Sequence, residues 1–289
     1  SWETLPHERL SPRSDTVGRR LAVLRRLAHP ERRDPAHGPI TVLTCSVRAL
    51  LQPIVAGLGE LEPVRLAVGD TRPMTEIVAA LADAAYVRTD LVERRGEFAV
   101  RGGIIDVFPP TQEHPVRVEF WGDTVEEIRE FHVADQRSLE AAKGGLWAPP
   151  CREVLLTPAV RERAAALAEQ LPGVRDLLEK VADGIAVEGM ESLAPALVDG
   201  METLLDVLGE RAAVAIVDPE RVRARAHDLV ATSEEFLQAS WSNAAAGNVV
   251  PVDVLGVLGM ASYWTLPQAR DHALASGRSE ERRVGKECR

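Results

Sequence analysis

Arg101, Arg117, Glu119 and Trp121 are the residues of this chain whose types and spacing suit molecular recognition. Arginine can grip a carboxylate through two parallel hydrogen bonds. Glutamate can accept from a partner's arginine or lysine, or hold Arg117 in place within the sheet, and tryptophan can supply an apolar anchor. Arg117, Glu119 and Trp121 alternate with Val116, Val118 and Phe120. A period of two sends the apolar trio to one face of a strand and the Arg-Glu-Trp trio to the other. Arg101 closes an earlier strand just before Gly102-Gly103 and can join that outer face across the sheet. By periodicity alone the simpler reading is a charged sheet face partly covered by an amphipathic Trp. A binding surface is the alternative.

Other chemistry finds little support. The seven histidines lie at 7, 29, 37, 114, 132, 227 and 272, with no HExxH or paired-ligand spacing. Cys45, Cys151 and Cys288 show no metal-ligand spacing, and their odd number, without a secretory signal, fits a reducing cytosol. No GxxxxGK[ST] phosphate loop occurs, so nothing offers backbone amides and a lysine to hold a nucleotide. Gly102-Gly103 is a hairpin signal rather than a dinucleotide fingerprint, because no helix follows it. The formal net charge of −10 argues against a polyanion-binding surface. Arg19, Arg20, Arg25 and Arg26 lack interleaved aromatics and read as a solvated helix face. No apolar run reaches membrane-spanning length. The expectation is a cytoplasmic protein with no catalytic motif and no cofactor or metal site in these residues.

The elements that must position these side chains follow from pattern. At 289 residues, 45% hydrophobic and 27% charged, the chain suits about two globular domains. Aromatics make up 4%, so the core must be mostly Leu, Val and Ala. Residues 16–27 predict an amphipathic helix with Asp15 as N-cap. Residues 40–44 and 62–68 predict strands, with a helix over 48–58 between them, the spacing of a parallel α/β layer. A helix over 75–85 leads into three short strands within 97–121, and 125–131 continues the sheet. Residues 135–150 predict a loop, 154–156 a short strand and 158–170 a helix with Pro near its first turn. Further helices are predicted over 174–181 and, with a glycine break, within 197–208. Residues 212–217 form the best buried-strand candidate, ending at Asp218-Pro219, which starts a helix over 221–239. The signal fades from about residue 243. Residues 277–289 read as a non-native tail and are set aside.

The run RGEFAVRGGIIDVFPPTQEHPVRVEFWGDTVEEIREFHVADQRSL resembles the second domain of the UvrB-homologous module of bacterial transcription-repair coupling factors. Glu3-Thr4-Leu5-Pro6, Glu8-Arg9-Leu10-Ser11-Pro12 and Gly184 to Ser192 resemble the same family, so the similarity spans roughly residues 1–245. The resemblance implies an α/β fold: a degenerate helicase-like (RecA-like) domain split in sequence over 1–64 and 153–250, with a mixed α+β domain inserted at 65–152. Residues 251–276 stay a linker or packing segment. The chain opens at Ser1, as a piece of a longer protein would. The resemblance further implies that the inserted domain docks the damage-recognition protein UvrA, with Arg88, Arg101, Arg117, Glu119 and Trp121 as contacts and Arg88 at the patch edge. Position 99 is Ala where UvrB-like chains carry a second Arg, a departure that bears on the strength of that interface. Where a UvrB-like helicase has DExH, this chain has Asp218-Pro219-Glu220-Arg221. Proline interrupts the acidic pair and the Asp is more simply a helix cap. ATP and magnesium, double-stranded DNA and RNA polymerase would then be matters for carboxy-terminal motor domains outside this chain. The alternative is a UvrB-like or helicase-like DNA-binding subunit of excision repair.

Overall fold

The computed structural model describes residues 1–4, 10–31, 39–209, 212–244 and 262–278. Its centre is a mixed six-stranded sheet. The strands are β3 (Val87–Arg88), β4 (Glu97–Arg101), β5 (Ile104–Val107), β6 (Val116–Trp121), β7 (Thr124–Phe131) and β8 (Ser138–Ala141), in that spatial order. All neighbours are antiparallel except β3 and β4. The sheet is built from local hairpins. Gly102, at φ 57°, turns β4 into β5, and Gly122, at φ 61°, turns β6 into β7, conformations that cost glycine little. A register shift between Glu119 and Phe120 marks a bulge near the end of β6.

One face of this sheet is the core. Phe98, Ile105, Val107, Val116, Val118, Phe120, Val125 and Ile128 are buried on it. Ile77 and Leu81 of α3 (Met74–Asp83) pack with them. So do Val64 and Leu66 of β2 (Val64–Leu66) and Leu146 and Ala148 of β9 (Leu146–Ala148). Full burial of each large side chain stabilises by about 1.5–3 kcal/mol before entropy is subtracted.

The flanking residues form a largely helical body. α1 (Ser14–Ala28), α4 (Pro158–Gln170) and α5 (Arg175–Ala182) bury Val17, Leu21, Leu24, Val160, Ala164, Leu178 and Val181 together. Thr157 caps α4 by accepting from Val160 N, with Pro158 at the first position. A smaller cluster joins Leu51 of α2 (Val47–Leu51) and Leu205, which lies between β10 (Met201–Glu202, paired with β1, Ile54–Val55) and the residues beyond 207. Ala226 and Leu229 of a long helix over Pro219–Ala244 and Ala269 of a helix over Leu266–Ala275 complete it. Residues 262–276 therefore pack on the flanking body. Residues 245–261, and the expected tail from 279 onward, lie outside the described residues.

Several expectations are corrected. Residues 40–44 and 212–217 form no strand, and Val42 and Val217 are 79% and 83% exposed. Residues 62–68 contain β2, but it pairs antiparallel with β9, so these segments build no parallel layer. The helix expected over 48–58 stops at Leu51, because Pro53 cannot continue it. Residues 135–150 carry two strands, not a loop, and 154–156 carry none, although Val154 is buried in the helical core. Arg13, not Asp15, occupies the N-cap position of α1 and makes no side-chain cap hydrogen bond; Asp15 lies in the first turn. The helix beginning at Pro219 keeps its expected start: Asp218 Oδ1 accepts from Arg221 N at 3.4 Å.

The sheet and the helical body meet at a tight seam. Ser14 Oγ donates to Arg95 O at 2.9 Å. A β-carbon on Gly18 would fall 2.5 Å from Pro110 Cγ, so α1 approaches the sheet's loops as only glycine permits.

Candidate functional site

The second face of the sheet is organised in rows across the strands. Ala99, Asp106, Arg117 and Arg129 stand opposite one another in one row, and Arg101, Ile104, Glu119 and Glu127 in the next. One end of this face is apolar: Val92, Ala99, Phe108 and Phe131 bury one another there. The other end, at the glycine turns, is open.

Arg117 sits between the two ends and is largely consumed inside the domain. Its Nε donates to Asp106 Oδ1 at 2.7 Å and its Nη2 to Asp106 Oδ2 at 2.9 Å, the bidentate geometry. Its Nη1 donates to Gln136 O at 3.3 Å. Its guanidinium lies 4.7 Å from the Phe131 ring centroid, a cation–π distance. The hydrogen bonds to Asp106 raise the Arg117 pKa above the usual arginine value, so the group stays charged. Only 14% of its side chain is exposed. Gln136 holds its backbone at φ 59° and donates to Val133 O at 2.8 Å, which fixes the loop that covers Arg117.

Arg101 shares the same carboxylate but spends less on it. Its Nη2 donates to Asp106 Oδ2 at 3.0 Å, and 52% of its side chain is exposed. Trp121, at the end of β6 beside the Gly122 turn, is 80% exposed. Glu119 is half-buried and opposes Ile104, in the row that contains Arg101. It adds to the field that keeps Arg117 charged, but the carboxylate in contact with Arg117 is that of Asp106. Arg88 lies apart, on edge strand β3 and in register with Phe98, exposed and without an ion pair among the described residues. The structure thus brings Arg101 and Arg117 together, leaves Trp121 and Glu119 at the same open end of the face, and keeps Arg88 at the sheet margin.

Asp106 is the residue that pattern reading missed. The signal was present: Asp106 lies between Ile105 and Val107, so a period of two puts it on the second face, and the two hairpins set it opposite Ala99 and Arg117. Ala99 is buried in the apolar end of the face. An arginine there would have to displace that packing.

Elsewhere the chemistry is sparse. Burial lifts the Cys151 thiol to about 12, which keeps it protonated and unreactive. No group of three or more His, Cys, Asp or Glu among the described residues is placed to hold a metal ion. No helix among the described residues is long and apolar enough to cross a membrane.

Comparison with known proteins places these observations. Residues 64–148 match the UvrB interaction domain family. The chain is 53% identical over 291 residues to the transcription-repair-coupling factor of Mycobacterium tuberculosis, covering 96% of this chain and 23% of that protein. It is 36% identical to the Myxococcus xanthus transcription-repair-coupling factor over 71% of this chain and 17% of the relative. The UvrABC system protein B of Bacillus velezensis is 43% identical over 82 residues, covering 26% of this chain and 12% of that protein. The chain spans less than a quarter of the length of the coupling factors it matches. A mixed α/β chain, it is a homologue of transcription-repair-coupling factors and carries a UvrB interaction domain.

Proposed function

We propose that this chain is a protein-docking module of transcription-coupled nucleotide excision repair, and that it recruits UvrA through the open end of the second sheet face. The observation that carries the proposal is that a half-exposed Arg101 and an 80% exposed Trp121 stand at the same open end of the second sheet face in the UvrB interaction domain. An exposed tryptophan and a tethered arginine on one face have the composition of a binding hot spot. Glu119 lies at the margin of the same surface as a secondary contact, and Arg117 contributes from beneath; Arg88, in register with core-facing Phe98 on edge strand β3, would reach UvrA from the sheet edge instead.

In this proposal residues 65–152 are the docking domain. Residues 1–64 and 153–250 are the two parts of a degenerate helicase-like domain that carries it, a reading supported by homology of the flanks to coupling factors. The longer cytoplasmic protein acts as an ATP- and magnesium-dependent translocase on double-stranded DNA and displaces stalled RNA polymerase. The residues of this chain serve docking alone.

The test is binding of purified UvrA to the wild-type chain, Arg101→Ala and Trp121→Ala, with folding checked by circular dichroism. Micromolar or tighter wild-type binding, weakened about tenfold or more in each variant, is the expected result. A folded wild type that does not bind UvrA refutes the proposal.

A further inference from the structure

We propose that Asp106 is the positioning residue of this docking face, resting on the UvrA-docking reading: its buried carboxylate holds Arg101, the arginine that UvrA meets, and clamps Arg117 beneath it. The Asp106 side chain is 1% exposed. A carboxylate so placed needs charged partners. It has two, from the strands on either side of β5: Arg101 of β4 and Arg117 of β6. Arg101 Nη2 and Arg117 Nη2 both lie within hydrogen-bond distance of the same oxygen, Oδ2, at 3.0 and 2.9 Å. Two like charges share that oxygen because the negative charge between them outweighs their repulsion.

The sharing divides their work. A guanidinium has five N–H donors. Arg117 commits three of its nitrogens inward and lays one guanidinium face over the Phe131 ring. Among the described residues the Arg101 side chain makes one hydrogen bond, to Asp106, and is half exposed. Arg101 is therefore the arginine presented outward. Asp106 tethers it at one corner and leaves its remaining donors toward solvent. Holding it in place before association lowers the ordering cost of binding. The complementary surface on UvrA would offer a carboxylate to Arg101 and an apolar recess to Trp121.

The experiment measures UvrA binding to the wild-type chain, Asp106→Asn, Asp106→Glu, Arg101→Ala and the Asp106→Asn/Arg101→Ala double variant, at a temperature where circular dichroism shows each fully folded. Asp106→Asn removes the charge at nearly constant volume and is expected to weaken binding about tenfold. Asp106→Glu keeps the charge but displaces it by one methylene, and is expected to lose less. In the Arg101→Ala background Asp106→Asn should add little, because its effect passes through Arg101. A stability role alone would leave the affinity of folded protein unchanged. Folded Asp106→Asn that binds within twofold of wild type overturns the proposal, as does a full multiplication of the two single losses. Should Asp106→Asn fail to fold, Asp106→Glu decides: a several-fold loss supports the role and a loss under twofold overturns it. If the wild type itself does not bind, the docking reading fails and this role falls with it; if Arg101→Ala weakens binding and Asp106→Asn does not, this role alone fails.

Discussion

Two stretches that both predict strands meet opposite fates in this molecule. Val116 to Trp121, which alternates apolar and polar residues, and Ala212 to Val217, which is continuously apolar, both carry the β-branched residues that favour strands. The first is β6, paired on both sides, with Val116 and Val118 fully buried. The second forms no strand, and Val214, Ile216 and Val217 are exposed. Their difference lies in their neighbours. β6 is joined to β7 by a two-residue glycine turn and to β5 by a short loop, so its partners arrive from adjacent sequence. Residues 212–217 are followed by the helix from Pro219, and among the described residues no strand adjoins them in sequence to pair with. Strand propensity describes a fit to a half-buried pleated surface, and it is realised only where that surface exists.

The largest effect that would test this contrast is Val118→Asp. A charge in the fully buried centre of β6 should cost upwards of about 4 kcal/mol and abolish the cooperative thermal transition of the sheet domain. A variant that melts like wild type would mean that this face is not the core. Asp106→Ala should cost about 3–5 kcal/mol in urea denaturation, because it strips the counter-charge from Arg117 and from Arg101. Little change there would place the pair among the weak surface bridges.

Gly18→Ala tests the seam between the two regions. Its new β-carbon collides with Pro110, and the expected cost is about 1–3 kcal/mol. Calorimetry should show the helical body and the sheet losing stability together; a neutral result would show that the seam opens at no cost.

The helical body has its own polar latch. His272 Nε2 lies 2.6 Å from Asp206 Oδ1, and Asp206 Oδ2 accepts from Thr203 N and Oγ1. Burial pushes the Asp206 carboxyl up, but hydrogen bonds from Thr203 and His272 outweigh it and leave the pKa below the usual value. A depressed carboxylate adds stability that is fully present above its unfolded pKa, near 3.9, and is lost as pH falls through the folded value. Melting temperatures across pH 2–6 should therefore fall on acidification by more in wild type than in Asp206→Asn, a variant about 1 kcal/mol less stable at neutral pH. Parallel curves would remove Asp206 from the acid response.

The smallest effect completes the contrast. Val217→Asp should change stability by less than about 0.5 kcal/mol, since its side chain is already in water. A cost comparable to that of Val118→Asp would mean that the segment is covered in solution and that the two stretches are alike after all.

Much of the site was legible without coordinates. Alternation alone put Val116, Val118 and Phe120 inside and Arg117, Glu119 and Trp121 on the other face, as the structure has them. Pro and cap signals located the starts of the helices at Pro158 and Pro219. Which outward residue is free was not legible. Arg117 and Arg101 look equivalent in sequence, yet one is clamped from three nitrogens and the other is tethered by one. Asp106 was overlooked because it lies within an apolar run, and its importance comes from what stands opposite it.

By itself, then, the sequence determined local facts of this protein: the glycine hairpin turn at 102–103, the helix starts at Pro158 and Pro219, and which side of β6 meets the core. These follow from periodicity, turn chemistry and capping, which act over a few residues. Tertiary structure alone decided that Asp106 underlies both arginines, that loop 133–137 seals Arg117, and that residues 40–44 and 212–217 stay outside any sheet. Each of these depends on which distant groups share a row, a loop or a sheet edge. Burial and charge pairing across that distance have no counterpart in the spacing of neighbours along the chain.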